Sequence, residues 1–99
     1  MSYLERAQQA IEGLHLCDAR HIATVRVCEH NAGRKIWDGD VEVFQLHGFA
    51  SADRSYVWGY SNEHRNGELD FISVPATPPI TTPAAAVPAV LAWEEKVRQ

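Results

Sequence analysis

The sequence predicts an α+β domain in which a helix near each end of the chain flanks four antiparallel strands (α-β-β-β-β-α). Two segments have helical periodicity, four segments between them are β-branched or alternating, and the connections are short and rich in turn residues. The 99 residues can bury roughly two-thirds of their surface on folding, enough for one hydrophobic core. We therefore expect a single domain over residues 1–99.

The first helix is predicted over residues 3–12. Ser2 and Glu5 have the spacing of a capping box, in which each side chain accepts a hydrogen bond from the other residue's backbone N–H. The apolar residues that follow at helical spacing are Leu4, Ala7 and Ile11. Gly13 is placed to end the helix in the left-handed conformation.

Four strands are predicted between the helices, over residues 21–30, 35–47, 55–61 and 68–74. A hairpin loop is expected at Asn31-Ala32-Gly33, because glycine readily adopts a positive φ. Gly39 stands inside the second strand and predicts a bulge there. The short connections between successive strands predict an antiparallel meander.

A proline-rich connection over residues 75–83 follows the last strand, because proline cannot take part in the interior of a sheet. Thr82 and Pro83 provide an N-cap and a first helical residue for a second helix over residues 84–98. Pro88 predicts a bend or a later start of this helix. Because two helices of this length can cover one face of a four-stranded sheet, we expect a two-layer sandwich.

Composition disfavours several classes of partner. The formal net charge is −4, and the basic residues are scattered singly apart from Arg34-Lys35, whereas a nucleic-acid module needs a basic face. No apolar run approaches the roughly 20 residues that cross a bilayer, and residues 1–6 do not resemble a signal peptide. The two cysteines then indicate free thiols in a reducing compartment. We expect a cytoplasmic protein with no nucleic-acid or membrane partner.

A cluster of histidines and cysteines is the candidate metal site. It brings three histidines and both cysteines within sixteen residues: His15, Cys17, His21, Cys28 and His30. Zinc prefers such ligands. We expect a protein without a cofactor, and the alternative is a zinc site formed by His15, Cys17, Cys28 and His30. The paired spacing of zinc fingers is absent. The other interpretation makes Cys28 a small core residue and the histidines surface residues.

Candidate catalytic groups lack a motif that fixes their geometry. The run Asp38-Gly-Asp-Val-Glu42 would place three carboxylates on one face of a strand, where they could bind Mg²⁺ or simply confer solubility. For nucleophilic catalysis, either cysteine could pair with a histidine as its base. Ser55 or Ser61 could likewise form a triad with a histidine and an aspartate. Neither a nucleophile motif nor a phosphate-binding glycine loop is present. The sequence therefore favours a non-catalytic protein.

An aromatic stripe is the candidate interface. Tyr56, Trp58 and Tyr60 alternate along the third strand, beside Phe44 and Leu46 of the second. Such side chains can pack in a core, stack on nucleobases or form half of a dimer interface. Every predicted strand carries large apolar groups on both faces, and the helices cover only one. We therefore expect the other face to form a homodimer or to bind a protein partner.

The segments Trp37-Asp-Gly-Asp-Val-Glu-Val-Phe-Gln-Leu-His-Gly48 and Asp53-Arg-Ser-Tyr-Val-Trp58 resemble short, single-domain bacterial proteins to which no activity is assigned. The resemblance spans residues 36–92 and implies a bacterial, cytoplasmic origin. The sequence thus predicts a non-catalytic interaction or regulatory module that self-associates, including an inhibitor that acts by surface complementarity. The alternative is a small metal-binding or enzymatic domain that uses the histidine–cysteine cluster.

Overall fold

The computed structural model describes residues 1–98, so that only the last residue of the expected domain lies outside the described range. Its elements are α1 (Tyr3–His15), β1 (Asp18–Asn31), β2 (Arg34–His47), β3 (Arg54–Asn62), a 3₁₀ turn (Glu63–Arg65), β4 (Glu68–Pro75) and α2 (Pro83–Arg98). The strands form one antiparallel sheet in the order β1-β2-β3-β4. The predicted α+β class, element order and meander are confirmed.

Helix α1 begins where the sequence predicts and ends later. The Ser2 side chain accepts a hydrogen bond from the Glu5 N–H at 3.1 Å, and the Glu5 side chain accepts one from the Ser2 N–H at 3.4 Å. The predicted stop at Gly13 is wrong, since the helix continues to His15 and the left-handed residue is Leu16, with φ 53°. The reason is tertiary: the His15 side chain contacts β4 and the loop after β2, and these contacts hold the last turn.

Strands β1 and β2 form a hairpin of fourteen residues on each side. Its two-residue turn has positive φ at both Ala32 (53°) and Gly33 (78°), as a type I′ turn requires. The bulge expected at Gly39 is wrong, because Gly39 pairs in register with Val27 and the register shifts lie nearer both ends of the hairpin. Gly39 serves a close approach instead, since a Cβ there would stand 3.0 Å from the Trp37 ring.

The two helices pack on opposite faces of the sheet. The core on the α1 face contains Ala7, Ile11, Ala19, Phe44, Leu46 and Val57. The core on the α2 face contains Val27, Val41, Val43, Tyr56, Trp58, Ala86 and Val87. The expected two-layer arrangement, with both helices on one face, is therefore corrected to three layers. Both faces of the central strands are apolar, and one helix on each face buries more of that surface than two helices on one face.

Helix α2 starts with the predicted cap. The Thr82 side chain accepts a hydrogen bond from a backbone N–H of the first turn at 3.2 Å, and Pro83 is the first helical residue. Pro88 lies inside the helix, which continues past it without the hydrogen bond that proline cannot donate. Within residues 1–98, neither helix is both long and apolar enough to cross a bilayer.

Strands β2 and β3 are paired over a short ladder. In the described chain their register covers only residues 42–45 of β2 and 54–57 of β3. The first half of β2 continues to pair with β1, and the second half of β3 continues to pair with β4. The two hairpins therefore diverge beyond this ladder, toward their turns. The first of the two cavities described below lies at the opening between them.

We expect substitutions in the two cores to act independently. Ile11 and Val87 are 1% and 0% exposed and lie in different cores. Ile11→Val should lower the free energy of unfolding by about 1 kcal/mol, and Val87→Ala by about 2 kcal/mol, because each removes buried methyl groups. In urea denaturation the double variant should lose the sum of these values to within about 0.5 kcal/mol. A much larger coupling energy would mean that both helices share one core.

Candidate functional site

The histidine–cysteine cluster is divided by the length of β1. His15 and Cys17 lie before the strand, while Cys28 and His30 lie near its far end. At about 3.3 Å per residue, the separation between Cys17 and Cys28 along the strand is roughly 30 Å or more. Within residues 1–98, no three side chains of the metal-ligating types come together. The alternative zinc site of these four residues is therefore corrected, because one chain cannot bring them to one ion.

The two thiols are free and have different environments. Cys28 is exposed rather than a core residue, and its Sγ lies 3.9 Å from His30 Nδ1. Cys17 is half-buried, and desolvation, with the nearby Asp18 and Glu12 carboxylates, raises the pKa of its thiol. Because the thiolate is the nucleophilic form, Cys17 is poorly suited to nucleophilic catalysis.

A chain of polar side chains links α1 to the middle of the sheet. The completely buried Ser55 hydroxyl shares a short hydrogen bond with the Ser73 hydroxyl, which lies 2.9 Å from His15 Nε2. In the described residues, no carboxylate hydrogen-bonds to any of these three side chains. Ser55 is out of reach of a substrate, so this chain secures the end of α1 to β3 and β4.

Four of the five residues expected at an interface are buried within the single chain. Phe44 and Leu46 lie in the α1-face core, whereas Tyr56 and Trp58 lie in the α2-face core, and each is exposed by 5% or less. They have little or no surface to offer a second copy, and we correct them to core residues. Tyr60, at 42% exposed, is the only one of the five that reaches the surface.

The acidic run lines a cleft on the α1 face, where β2 and β3 diverge. The register of β2 against β1 places Asp38, Asp40 and Glu42 on this face, without an intervening bulge. The cleft has a volume of about 390 Å³. Besides the three acidic residues, its lining includes Tyr3, Trp37 and Trp58. We call it the acidic cleft.

Glu42 is the most buried carboxylate of the acidic cleft, with its side chain 6% exposed. Its Oε1 accepts a hydrogen bond from the Thr24 hydroxyl and lies 2.9 Å from His21 Nε2. The His21 ring stands edge-on to Phe44, with centroids 5.3 Å apart. Glu42 Oε2 accepts no hydrogen bond from the described residues. Every fully buried side-chain oxygen among these residues has a hydrogen-bond partner, so Oε2 cannot be fully buried. This second oxygen is therefore open to the cleft that Glu42 lines.

Tyr3 closes one side of the opening between the strands. Its hydroxyl oxygen accepts a hydrogen bond from the Gly59 N–H at 2.8 Å, beyond the point where β2 pairs with β3. Burial raises the pKa of the Tyr3 hydroxyl; the Gly59 hydrogen bond opposes this increase, and the Glu42 and Asp40 charges add to it. The hydroxyl therefore stays protonated. Gly59 permits the approach, since a Cβ there would stand 3.1 Å from the tyrosine.

Two cations partly neutralise the mouth of the acidic cleft. Asp38 accepts hydrogen bonds from Arg26 Nε at 2.9 Å and Lys35 Nζ at 3.2 Å, and both cations lower the pKa of this carboxyl. Asp40 is more exposed and lies 3.6 Å from Arg26. The three carboxylates outnumber the cations by one, and the Glu42 carboxylate lies away from both. The carboxylates of the cleft are therefore only partly neutralised.

A second cavity lies on the α2 face. This α2 groove, of about 520 Å³, separates the second half of α2 from the sheet. Its aromatic and aliphatic lining includes Trp37, Trp58, Tyr60, Ile72, Leu91 and Trp93. Glu94 is the only charged residue among the described residues that line it. Trp93, which lines the groove, is 64% exposed, and Val97 (63% exposed) follows it by one turn of α2.

Comparison with protein-family models, with curated proteins and with solved structures finds no match to this chain. The interpretation of function therefore rests on the two cavities and on the side chains that line them.

Sequence patterns reveal these sites only in part. The spacing of Trp93 and Val97 places them on one side of a helix, which is a usable signal for an exposed apolar surface. No comparable signal marks Tyr3, because its partner Gly59 is 56 residues away. Thr24 reads as an ordinary strand residue until the register sets it opposite Glu42.

Replacing Tyr3 tests its role at the opening. Tyr3→Phe should lower the free energy of unfolding by about 1 kcal/mol, because the Gly59 N–H loses its partner. The matched control is Tyr60→Phe, since Tyr60 is equally exposed (42% against 40%) and its hydroxyl makes no hydrogen bond within the described chain. Urea denaturation should show no loss for the control. Equal losses would contradict the assigned role.

The stability of the fold should depend on pH through His15. Burial lowers the pKa of His15, because desolvation disfavours the imidazolium ion. The unfolded chain therefore takes up a proton near its ordinary pKa of about 6.5, before the folded chain does. The contribution of His15 to stability should be complete above about pH 6.5 and should fall as the pH drops through the folded pKa.

The measurement is the free energy of unfolding as a function of pH in three proteins. His15→Asn should reduce the loss of stability below about pH 6.5. His47→Asn should leave it unchanged, because His47 is exposed and makes no side-chain hydrogen bond within the described residues. Identical pH profiles for all three proteins would show that His15 does not contribute.

Proposed function

We propose that this protein is a small, non-catalytic interaction module that acts as a homodimer through the α2 groove. The supporting observation is an open aromatic groove of about 520 Å³ beside a tryptophan that is 64% exposed. Tryptophan and tyrosine are enriched in the centres of protein interfaces, where they supply much of the binding energy. An apolar patch of this kind on a small domain marks an interaction surface.

A second copy of the chain suits this groove better than a charged partner. With Glu94 as the only charged lining residue in the described chain, the groove offers no charge pattern that would select such a partner. A two-fold axis makes each contact occur twice, so the Trp93 ring of each copy can enter the groove of the other. In such a dimer, the contact along one side of each α2 would bury both the exposed tryptophan and the open groove.

The area that a dimer needs is compatible with the size of the chain. A stable interface buries about 1,200 Å² in total, or about 600 Å² on each protomer. The protomer exposes 6630 Å², so the interface would take about a tenth of its surface. The second half of α2, Tyr60 and the Trp37 end of the long hairpin lie together around the groove and can supply it.

We further infer a bacterial, cytoplasmic setting, which is supported by the two free thiols and the sequence resemblance. An inhibitor that acts by surface complementarity would use the same groove. The non-catalytic assignment is supported by the polar chain of His15, Ser73 and Ser55, which has a fully buried serine and no carboxylate among the described residues.

Sedimentation velocity tests the dimer at a protein concentration on the order of tens of micromolar. The wild type should sediment as a dimer and Trp93→Ala as a monomer, because the variant loses the side chain that fills the partner's groove. Leu14→Ala is the matched control, since Leu14 is 63% exposed on the opposite helix, and it should remain a dimer. A monomeric wild type, or a dimeric Trp93→Ala protein, would refute this interface.

A further inference from the structure

In the acidic cleft, only one of the two carboxylate oxygens of Glu42 is hydrogen-bonded within the described protein. The Glu42 side chain is more than nine-tenths buried, and Oε1 is held by Thr24 and His21. Oε2 has no partner among the described residues and opens toward the cleft. A charged oxygen on a side chain that is this deeply buried gains most from a ligand that donates a hydrogen bond and carries a positive charge.

The walls around this oxygen also favour a cation. Trp37 is half-buried and lines the cleft together with the carboxylates, and the core residue Trp58 packs edge to face against it, with ring centroids 5.7 Å apart and planes at 66°. Tyr3 lies across the same cleft. The faces of aromatic rings attract cations, and a partly desolvated site strengthens this attraction. Carboxylates and ring faces together suit a cation that has an apolar body.

Other ligand classes fit the acidic cleft less well. The three carboxylates alternate along one strand at about 6.6 Å intervals and do not converge on a metal ion, and residues 1–98 contain no group of three metal-ligating side chains. An anion would meet an excess of negative charge. A neutral apolar ligand would cover Glu42 Oε2 without giving it a partner, which costs free energy.

We propose that the acidic cleft binds an organic ammonium ion, either a primary amine such as a lysine side chain or a methylated ammonium group. The cation lies between Glu42 Oε2 and the half-buried Trp37 side chain, and the more exposed Asp40 contributes charge. A volume of about 390 Å³ accommodates the ammonium group and several carbon atoms of its chain. Its carboxylates lie on the face opposite α2, and the proposal does not rest on the homodimer.

The experiment follows the indole signals of Trp37 and Trp58 by NMR during titration. It uses the full chain, both as wild type and as Trp93→Ala, so that failure of the proposed dimer cannot obscure the result. The probes are tetramethylammonium, n-butylammonium and Nα-acetyl-lysine methylamide, with tert-butanol as the neutral analogue and sodium chloride as the ionic-strength control. We expect saturable shifts of both indoles with at least one ammonium probe, and none with tert-butanol or sodium chloride.

Charge-removing variants identify the carboxylate. Glu42→Gln should weaken ammonium binding about tenfold or more, because it removes the charge while it keeps the shape. Asp40→Asn, at a site whose side chain is 53% exposed, should weaken binding about twofold without affecting the fold. Glu95→Gln, an exposed glutamate of α2, is the control and should bind as the wild type does.

Each outcome decides the proposal. Tighter binding of the lysine derivative than of n-butylammonium identifies a lysine of a protein partner as the source of the cation, and equal binding identifies a free amine. No saturable shift with any ammonium probe, equal binding of tert-butanol, or unchanged binding in both Glu42→Gln and Asp40→Asn would overturn it. Since Asp40→Asn retains the fold, a Glu42→Gln protein that failed to fold would still leave the test decisive.

Discussion

The short ladder between β2 and β3 is the constraint on which the rest of the structure depends. Each hairpin is paired along most of its length, but only four residues of β2 are in register with β3. The ladder side chains alternate into both cores, with Val43 and Tyr56 toward α2 and Phe44 and Val57 toward α1. Each helix therefore secures the joint from one side, and neither core is complete without it.

The end of this ladder also produces the acidic cleft. Beyond it the hairpins separate, and the backbones of β2 and β3 no longer hydrogen-bond to each other. A side chain of α1 supplies a partner at one point, the Gly59 N–H, which Tyr3 binds. The opening that remains becomes the acidic cleft. This cavity therefore arises where the pairing of the sheet stops, and no separate loop is needed to build it. The α2 groove lies instead between α2 and strands β3 and β4, and only Trp37 of β2 reaches it.

Local signals explain why the elements could be predicted from the sequence. The capping box at Ser2, the Thr82-Pro83 helix start and the Ala32-Gly33 turn act within a few residues, and the structure contains all three. The face that each helix covers could not be predicted, since both sides of the sheet are apolar and no short segment records which side a distant helix takes. Gly13 shows the same limit, because contacts far along the chain override its tendency to end a helix.

The candidate sites show this distinction at the level of single side chains. Asp38 and Glu42 belong to one alternating acidic run and look alike in the sequence. Pairing with β1 sets Asp38 near Arg26, where it forms a surface ion pair, and sets Glu42 beside Thr24 and His21, where it is buried. The difference is tertiary, so the sequence could show that three carboxylates share a face but not which of them has a functional environment.

The two cavities share one wall, and this links the faces of the molecule physically. Trp37, Trp58 and Gly59 line both the acidic cleft and the α2 groove. These residues stand where β2 and β3 are no longer paired, so that the two cavities adjoin across the sheet rather than lying at unrelated places on the surface. A second copy in the groove and a cation in the cleft would therefore approach the same residues from different sides, and neither proposal rests on the other.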